Sequence, residues 1–123
     1  MKIGIDFHNT IDSDYFTFSE FTNALVKSGI EIHILTGPKR EEVEPLLKQH
    51  NIAYTHFFSI VEDAEKNDMT IKWDLEGHPW INPEFWNRSK ARYCKEHDID
   101  LHLDDSSEYG KYFKTPYAQF KGK

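Results

Sequence analysis

Polar residues that suit phosphate and metal chemistry end three separate apolar segments of this sequence. Asp6 ends the first segment, Thr36-Gly37 ends the second, and Asp104-Asp105 ends the last. Carboxylates that meet at one place repel one another unless a cation lies between them, and such oxygen ligands suit Mg²⁺, which leaves room for a substrate phosphate. A carboxylate can also attack phosphorus, and a hydroxyl beside backbone N–H groups can hold phosphoryl oxygens. These residue types therefore permit phosphoryl-transfer chemistry.

Two more side chains are candidates for the same chemistry. Lys90 lies on the helix that leads to the last acidic pair, where its ammonium group would neutralise charge in a transition state, and Lys95 is the alternative on that helix. His8 follows Asp6 by two residues. A histidine with an ordinary pKa near ~6.5 can donate and accept protons around neutral pH. Acid–base work and simple loop packing are both open for His8.

The chemistry requires these residues to meet, and the order of the elements predicts that they do. Thr17, followed three residues later by Glu20, has the pattern of a helix N-cap, and Gly29 is a helix terminator. The predicted strands are 2–7, 30–35, 52–60, 99–103 and 116–120, and the predicted helices are 18–28, 38–49, 82–95 and 108–112. This alternation favours an α/β sandwich with a mainly parallel sheet, in which ligands bind outside the carboxyl ends of the strands.

Residues 61–81 are the part of the chain that fits this alternation least. They show no clean helical pattern, and the segment 70–77 predicts a small hairpin or an ordered loop. Asn82 and Pro83 then provide a cap and a first helical residue for the next helix. Trp73, Trp80, Phe85 and Trp86 lie in or beside this insertion, and both core packing and a stacking or docking surface are open for them.

Composition limits the classes of protein to which the chain can belong. With 123 residues we expect a single domain over 1–123, and 38% hydrophobic with 29% charged residues excludes general disorder. No apolar segment is long enough to span a membrane. The lone Cys94, which we expect to be a core residue, suits a reducing compartment. We therefore expect a cytoplasmic protein. A net charge of −6 makes nucleic acid an unlikely bulk ligand. His33, His56 and His102 lack the paired spacing that would predict zinc.

Four segments together resemble the motifs of the haloacid dehalogenase-like (HAD) hydrolases. Segment 3–10 (Ile-Gly-Ile-Asp-Phe-His-Asn-Thr) resembles the first motif, a hydrophobic strand followed by Asp-x-Asp-x-Thr. Segment 34–37 (Ile-Leu-Thr-Gly) resembles the second motif, Lys90 the third, and segment 101–106 (Leu-His-Leu-Asp-Asp-Ser) the acidic fourth. They occur in family order and span nearly the whole chain except 61–81.

The resemblance implies a Rossmann-like three-layer sandwich and Mg²⁺-dependent phosphoryl transfer. Asp6 would be the nucleophile, Thr36-Gly37 would bind the transferring phosphate, and Lys90 would steady both. Asp6, Asp105 and its neighbour Asp104 would bind the metal, together with the backbone carbonyl of His8. Thr10 would support the first loop.

Position 8 departs from the family pattern, because His8 replaces the second aspartate of the first motif, which is the usual acid–base. The metal contact at that position is made by the backbone carbonyl and survives the change, so the departure concerns proton transfer. Two functions follow: a phosphatase or phosphotransferase that forms an aspartyl-phosphate, and a catalytically inactive metal- or phosphate-binding interaction module. A phosphoacceptor receiver domain is a third, less favoured alternative because its acidic pair comes first in the chain.

The spacing of the motifs leaves no room for a full cap domain. One helix separates the first two motifs, and residues 61–81 suffice for little more than a hairpin. An open site of this kind suits a phosphorylated small molecule or a bulky phosphorylated macromolecule, and a homo-oligomer is another way to cover it.

Overall fold

Five parallel strands form one sheet, and Asp6 ends the strand at its centre. The computed structural model describes residues 1–122. The strands are β1 (Lys2–Asp6), β2 (Glu31–Thr36), β3 (His56–Ser59), β6 (Leu101–Asp104) and β7 (Tyr117–Gln119). Their order in the sheet is β3-β2-β1-β6-β7, and every neighbouring pair is parallel. The predicted α/β fold with a mainly parallel sheet is confirmed.

Helices cover both faces of the sheet, because alternate residues of the buried strands point to opposite sides. The helices are α1 (Tyr15–Lys27), α2 (Arg40–Gln49), α3 (Ile60–Lys66) and α4 (Pro83–Glu96), with 3₁₀ turns at Ile11–Ser13 and Tyr109–Tyr112. Ile34 packs with residues of α1 and α2 in the larger core, whereas its neighbour Leu35 packs against Tyr93 and Cys94 of α4. The Rossmann-like three-layer arrangement and the core position of Cys94 are therefore confirmed.

The start of α1 differs from the prediction. Asp14, not Thr17, is the N-cap, and its carboxylate accepts hydrogen bonds from the backbone N–H of Thr17 at 3.1 Å and from the Thr17 hydroxyl at 2.7 Å. A carboxylate three residues upstream therefore captures the groups that Thr17 would have used as a cap. Gly29, with φ of +86°, follows the end of the helix as predicted.

The prediction of no helix in residues 61–81 is wrong at its start. Helix α3 follows β3 without an intervening loop, and the Ser59 hydroxyl caps it by accepting a hydrogen bond from the N–H of Glu62 at 3.1 Å. Its seven residues are too few to display a helical period, so only its first residue, Ile60, was assigned, to the preceding strand, and the rest showed no pattern. The strand itself is shorter than predicted, His56–Ser59 instead of 52–60.

The rest of the insertion has the expected form. Strands β4 (Lys72–Trp73) and β5 (Pro79–Trp80) pair antiparallel in a small hairpin. Helix α4 begins at Pro83, and the Asn82 side chain caps it by accepting from two backbone N–H groups. Within residues 1–122, no helix combines the length and apolar character that a membrane crossing requires.

Candidate functional site

The sheet brings three of the predicted site residues together. Asp6, Thr36 and Asp104 are the last residues of β1, β2 and β6, and β1 lies between the other two strands. The carboxyl ends of parallel strands meet at one edge, so side chains from distant parts of the chain converge there. Lys90 reaches the same edge from α4.

Lys90 joins two of the aspartates. Its Nζ lies 2.7 Å from Oδ1 of Asp6 and 2.9 Å from Oδ2 of Asp104, and the lysine side chain is only 4% exposed. An ammonium group so deep in a protein is stable only when it is paired, and here both partners are buried carboxylates. We call Asp6, Lys90, Asp104 and Asp105 the carboxyl-end cluster.

The two carboxylates that share Lys90 differ in their electrostatics. Burial raises the pKa of Asp6 to about 7, and the Asp104 charge acts in the same direction, while Lys90 opposes both. For Asp104, the effect of burial is outweighed by the hydrogen bond from His102 and the charge of Lys90, which lower its pKa to about 2. The negative charge of Asp104 is thus the better compensated of the two. The negative charge of Asp6 is less fully offset by its surroundings.

Asp104 is held by its own strand and by the loop that follows it. Nε2 of His102 lies 2.9 Å from Oδ2 of Asp104, and the N–H of Ser106 donates to Oδ1 at 3.1 Å. Burial lowers the pKa of His102, so the neutral ring donates this hydrogen bond. Together with Lys90, these contacts orient Asp104 and leave Asp105 as the less constrained acid.

The acidic groups of this cluster fit a divalent cation. Oxygen atoms of Asp6, Asp104 and Asp105 all lie within 4.8 Å of one another. With all three carboxylates ionised, the single Lys90 ammonium would leave two negative charges, which an ion such as Mg²⁺ would neutralise with its preferred oxygen ligands. Asp105 is half-buried and follows Asp104 directly, at the side of the cavity described next.

A cavity of about 460 Å³ opens beside the cluster. Asp6, Thr36, Lys90 and Asp105 line it, as do His8, Asn9, Gly37, Pro38, Ile60, Trp86, Ser106, Ser107, Glu108 and Tyr109. Six of the predicted site positions therefore share one cavity: Asp6, His8, Thr36, Gly37, Lys90 and Asp105.

Thr36 carries a polar atom that is buried without a partner. Its hydroxyl oxygen is fully buried and makes no hydrogen bond to any atom of residues 1–122. A buried hydroxyl left unpaired costs about 1–3 kcal/mol. A ligand in the cavity that hydrogen-bonds to the Thr36 hydroxyl would remove this cost. Gly37 beside it contacts the indole of Trp86, which lies 2.7 Å from where a Cβ atom would be.

His8 is the predicted site residue that turns away from the cluster. Its side chain is 56% exposed, and its Nδ1 lies 3.2 Å from Oδ2 of Asp12. The ring reaches the cavity at its rim. Thr10, in contrast, supports the site as the resemblance implies, because its hydroxyl donates to Oδ2 of Asp6 at 3.2 Å.

Two aromatic residues belong to this site although no role there was predicted for them: Trp86, expected only in core packing or a docking surface, and Tyr109. Trp86 lines the cavity one turn before Lys90, and its indole N–H donates to the Tyr109 hydroxyl at 2.7 Å. Tyr109 in turn faces the Lys90 ammonium, which lies 5.0 Å from the centre of its ring. Two spacings in the sequence could have indicated these contacts. Trp86 and Lys90 are four residues apart on one helix, and His102 and Asp104 are two residues apart on one strand.

The four aromatic residues in or beside the insertion lie in two different environments. Trp73 and Trp80 on the hairpin are about half exposed. Phe85 and Trp86 on α4 pack instead against a small core formed by Val61, Ala64 and Ile81. Trp73 and Trp86 both line a second cavity, of about 540 Å³, which shares His8, Pro38 and Trp86 with the first.

Comparison of the chain with protein-family models, with curated proteins and with solved structures finds no match.

Proposed function

We propose that this protein is a Mg²⁺-dependent phosphatase or phosphotransferase that acts on a phosphate ester through an aspartyl-phosphate at Asp6. The observation that carries the proposal is the buried Asp6–Lys90 pair, with N–O distance 2.7 Å, on the wall of a cavity that also contains the unpartnered Thr36 hydroxyl. A nucleophile, a cation and a free hydroxyl around one cavity are the groups that phosphoryl transfer requires.

In the first step, a carboxylate oxygen of Asp6 attacks the phosphorus of the ester. An oxygen–phosphorus bond forms to Asp6 as the bond to the alcohol breaks, and the leaving oxygen takes up a proton from His8 or from solvent. In the second step, water or an acceptor alcohol attacks the phosphorus and gives its proton to the same acceptor, His8 or solvent, as the bond to Asp6 breaks and the carboxylate is restored. Before the attack, Thr10 and Lys90 hydrogen-bond to the two oxygens of Asp6 and orient the carboxylate.

The other residues bind and orient the phosphoryl group. The Thr36 hydroxyl and the Gly37 backbone are available to phosphoryl oxygens, and Lys90 offsets the charge that develops on them. Asp6, Asp105 and the His8 carbonyl are the groups that would hold Mg²⁺, and Asp104 orients Lys90 beside them. When bound, this ion would neutralise charge on the phosphoryl oxygens.

A second function, the catalytically inactive metal- or phosphate-binding module, is favoured by one observation. His8 occupies the position of the expected acid–base, yet its ring is paired with Asp12 at the exposed rim. A protein that cannot deliver a proton to the leaving oxygen would still bind phosphate at Thr36 and a cation at the acidic cluster. This module keeps the same ligands and differs only in turnover.

The exposed hairpin and the wide cavity also guide the choice of substrate. The two adjoining cavities offer about 460 and 540 Å³, more than one phosphate needs. We therefore favour a phosphate carried on a bulky small molecule or a macromolecule, and a second copy of the chain is the other candidate to cover the site.

Hydrolysis of p-nitrophenyl phosphate with Mg²⁺ tests the proposal. The wild type should release the phenol, while Asp6→Asn should lose turnover by at least a thousandfold because the amide cannot attack phosphorus. Asp105→Asn should require more Mg²⁺. Asp68→Asn, which changes an exposed acid on the turn after α3, is the matched control and should leave the rate unchanged.

Equal rates for the wild type and Asp6→Asn would remove Asp6 as the nucleophile. No turnover across a panel of phosphate esters, combined with saturable Mg²⁺ and phosphate binding that Asp105→Asn and Thr36→Val weaken, would establish the inactive module instead.

A further inference from the structure

A second group of side chains of the types that can bind metal ions lies at the opposite end of the sheet. Glu31 and His33 are two residues apart on β2, so their side chains project to the same face. His56 on the neighbouring edge strand β3 is the register partner of His33. We call Glu31, His33, His56 and Tyr93 the amino-end cluster. Its first three members offer two imidazoles and one carboxylate.

The possible ligand atoms of these three residues already lie close to one another. Nε2 of His33 lies 2.9 Å from Oε1 of Glu31, and Nδ1 of His56 lies 3.7 Å from the same oxygen. One ligand atom from each residue falls within 4.8 Å of the other two. The two imidazole rings are stacked, with centroids 4.1 Å apart and planes 5° from parallel.

His33 is positioned in the way that metal-binding histidines are. Its side chain is only 2% exposed, and its Nδ1 is hydrogen-bonded to the Tyr93 hydroxyl at 2.7 Å, which leaves Nε2 directed at Glu31. Metal-binding histidines usually engage a polar group through the second ring nitrogen, because that contact fixes the tautomer and the ring orientation.

We propose that Glu31, His33 and His56 form a binding site for a divalent transition-metal ion of the zinc class. His33 binds the ion through Nε2. The ring stays neutral and changes tautomer, so that its single proton, which lies on Nε2 beside Glu31 in the metal-free protein, is carried on Nδ1 and donated to the Tyr93 hydroxyl. Water completes the four ligands that Zn²⁺ prefers. The site crosslinks the edge strand β3 to β2.

One side chain must move when the ion binds. Stacked parallel rings cannot both direct a nitrogen lone pair at one ion, and the buried His33 is fixed by Tyr93. His56 is 48% exposed, so it can rotate out of the stack and bring a ring nitrogen to the ion. Binding therefore reorients His56 and leaves the backbone of both strands in place.

The two ends of the sheet should select different ions. Imidazole suits zinc, copper and nickel, whereas sites made only of carboxylates suit Mg²⁺. The proposed zinc site shares no residue with the carboxyl-end cluster, so this inference does not depend on the proposed enzymatic function.

Zinc titration of the chelator-treated, tag-free full chain tests the inference. Calorimetry should show one saturable Zn²⁺ site that millimolar Mg²⁺ does not displace, and saturating Zn²⁺ should raise the melting temperature. The titration is run in parallel on Asp105→Asn, which weakens the acidic cluster and should leave the affinity for Zn²⁺ unchanged. Loss of the Zn²⁺ site in Asp105→Asn would place it at the other end of the sheet and overturn the proposal.

Three variants locate the site at the amino-end cluster. His56→Ala removes an exposed ligand and should lower the affinity for Zn²⁺ at least tenfold. Tyr93→Phe removes only the group that orients His33 and should lower the affinity about 10- to 100-fold. His50→Ala, which removes a histidine stacked on Tyr15 away from the cluster, is the matched control and should bind as the wild type does.

Two further results would refute the proposed zinc site. Zn²⁺ binding by His56→Ala with wild-type affinity, or no saturable binding by the wild type, would leave Glu31, His33 and His56 as a hydrogen-bonded cluster without a metal function.

Discussion

The two ends of the same sheet carry polar clusters of opposite character. The carboxyl-end cluster contains three carboxylates and one ammonium group, and a buried Thr36 hydroxyl without a partner in the described chain lies on the same cavity. The amino-end cluster contains two stacked imidazoles, a carboxylate and a phenol, and each of the two nitrogens of its buried His33 has a partner. The first cluster groups several carboxylates around one ammonium group, whereas the second holds a single carboxylate, that of Glu31, beside imidazole rings.

The two proposed sites would place two kinds of chemistry at opposite ends of one sheet. Excess carboxylate charge at the carboxyl ends favours a hard cation, which in turn would attract a phosphate, while imidazoles at the amino ends favour a softer ion. Strand β2 reaches both sites: Glu31 of the amino-end cluster begins it, and Thr36, on the cavity beside the carboxyl-end cluster, ends it, so a ligand at one end does not occupy the other.

The largest expected effect is on stability at the carboxyl end. Lys90→Met leaves the buried carboxylates of Asp6 and Asp104 without their shared ammonium, and removal of one partner from a buried ion pair typically costs about 3–5 kcal/mol. We expect that loss in the free energy of unfolding by urea at pH 7. Lys95→Met, on an exposed part of the same helix, should change it by less than about 0.5 kcal/mol. A loss for Lys90→Met no larger than the control would show that the pair is not stabilising.

Removing one hydroxyl from each end should have effects of opposite sign. Tyr93→Phe deprives the buried Nδ1 of His33 of its partner and should lower the free energy of unfolding by about 1–3 kcal/mol. Thr36→Val removes a buried hydroxyl that has no partner, so stability should be retained or should increase. Urea unfolding of both variants without added metal or phosphate checks the contrast, and a loss of equal size at Thr36 would contradict it.

Acid should destabilise the protein through buried neutral histidines. Burial lowers the pKa of His102 in the folded state, whereas the unfolded side chain titrates near ~6.5. The unfolded state therefore gains a proton first, and the free energy of unfolding falls below about pH 6.5, by at most about 1.4 kcal/mol per pH unit for each such histidine.

The contribution of His102 to this slope can be isolated. His102→Gln keeps a donor for Asp104 but does not titrate, so its stability should fall less steeply between pH 6.5 and 5. His50→Gln serves as the comparison. If His102→Gln and the wild type have the same slope, His102 is not the group responsible.

The smallest expected effect on stability is at the rim of the carboxyl end. His8→Ala removes an exposed ring that is paired with Asp12 and lies edge-on to the Phe7 ring, and should change the free energy of unfolding by no more than about 0.5 kcal/mol. The same variant separates the two functions proposed for this end. A rate of p-nitrophenyl phosphate hydrolysis that falls in His8→Ala, with its pH dependence altered, would identify His8 as an acid–base, and an unchanged rate would assign its ring to loop packing.

The sequence predicted the carboxyl-end arrangement better than the amino-end arrangement. Asp6, Thr36 and Asp104 each stand where an apolar segment ends, and the alternation of strands and helices placed those ends at one edge. The amino-end cluster was missed because neither His33 nor His56 has paired spacing with a cysteine or histidine, and Glu31 was not considered as a ligand. Its assembly depends on the register between β2 and β3 and on Tyr93 from α4.

Sequence alone determined the alternation of the main strands and helices and the polar residues at the carboxyl ends of β1, β2 and β6, because hydrophobic period and turn chemistry act between near neighbours. Only the tertiary structure decided how those residues are partnered. The sharing of Lys90 between Asp6 and Asp104, the turn of His8 toward Asp12 and the stacking of His33 on His56 depend on burial and side-chain rotamers. Those are set by packing between segments far apart in the chain, which no local pattern encodes.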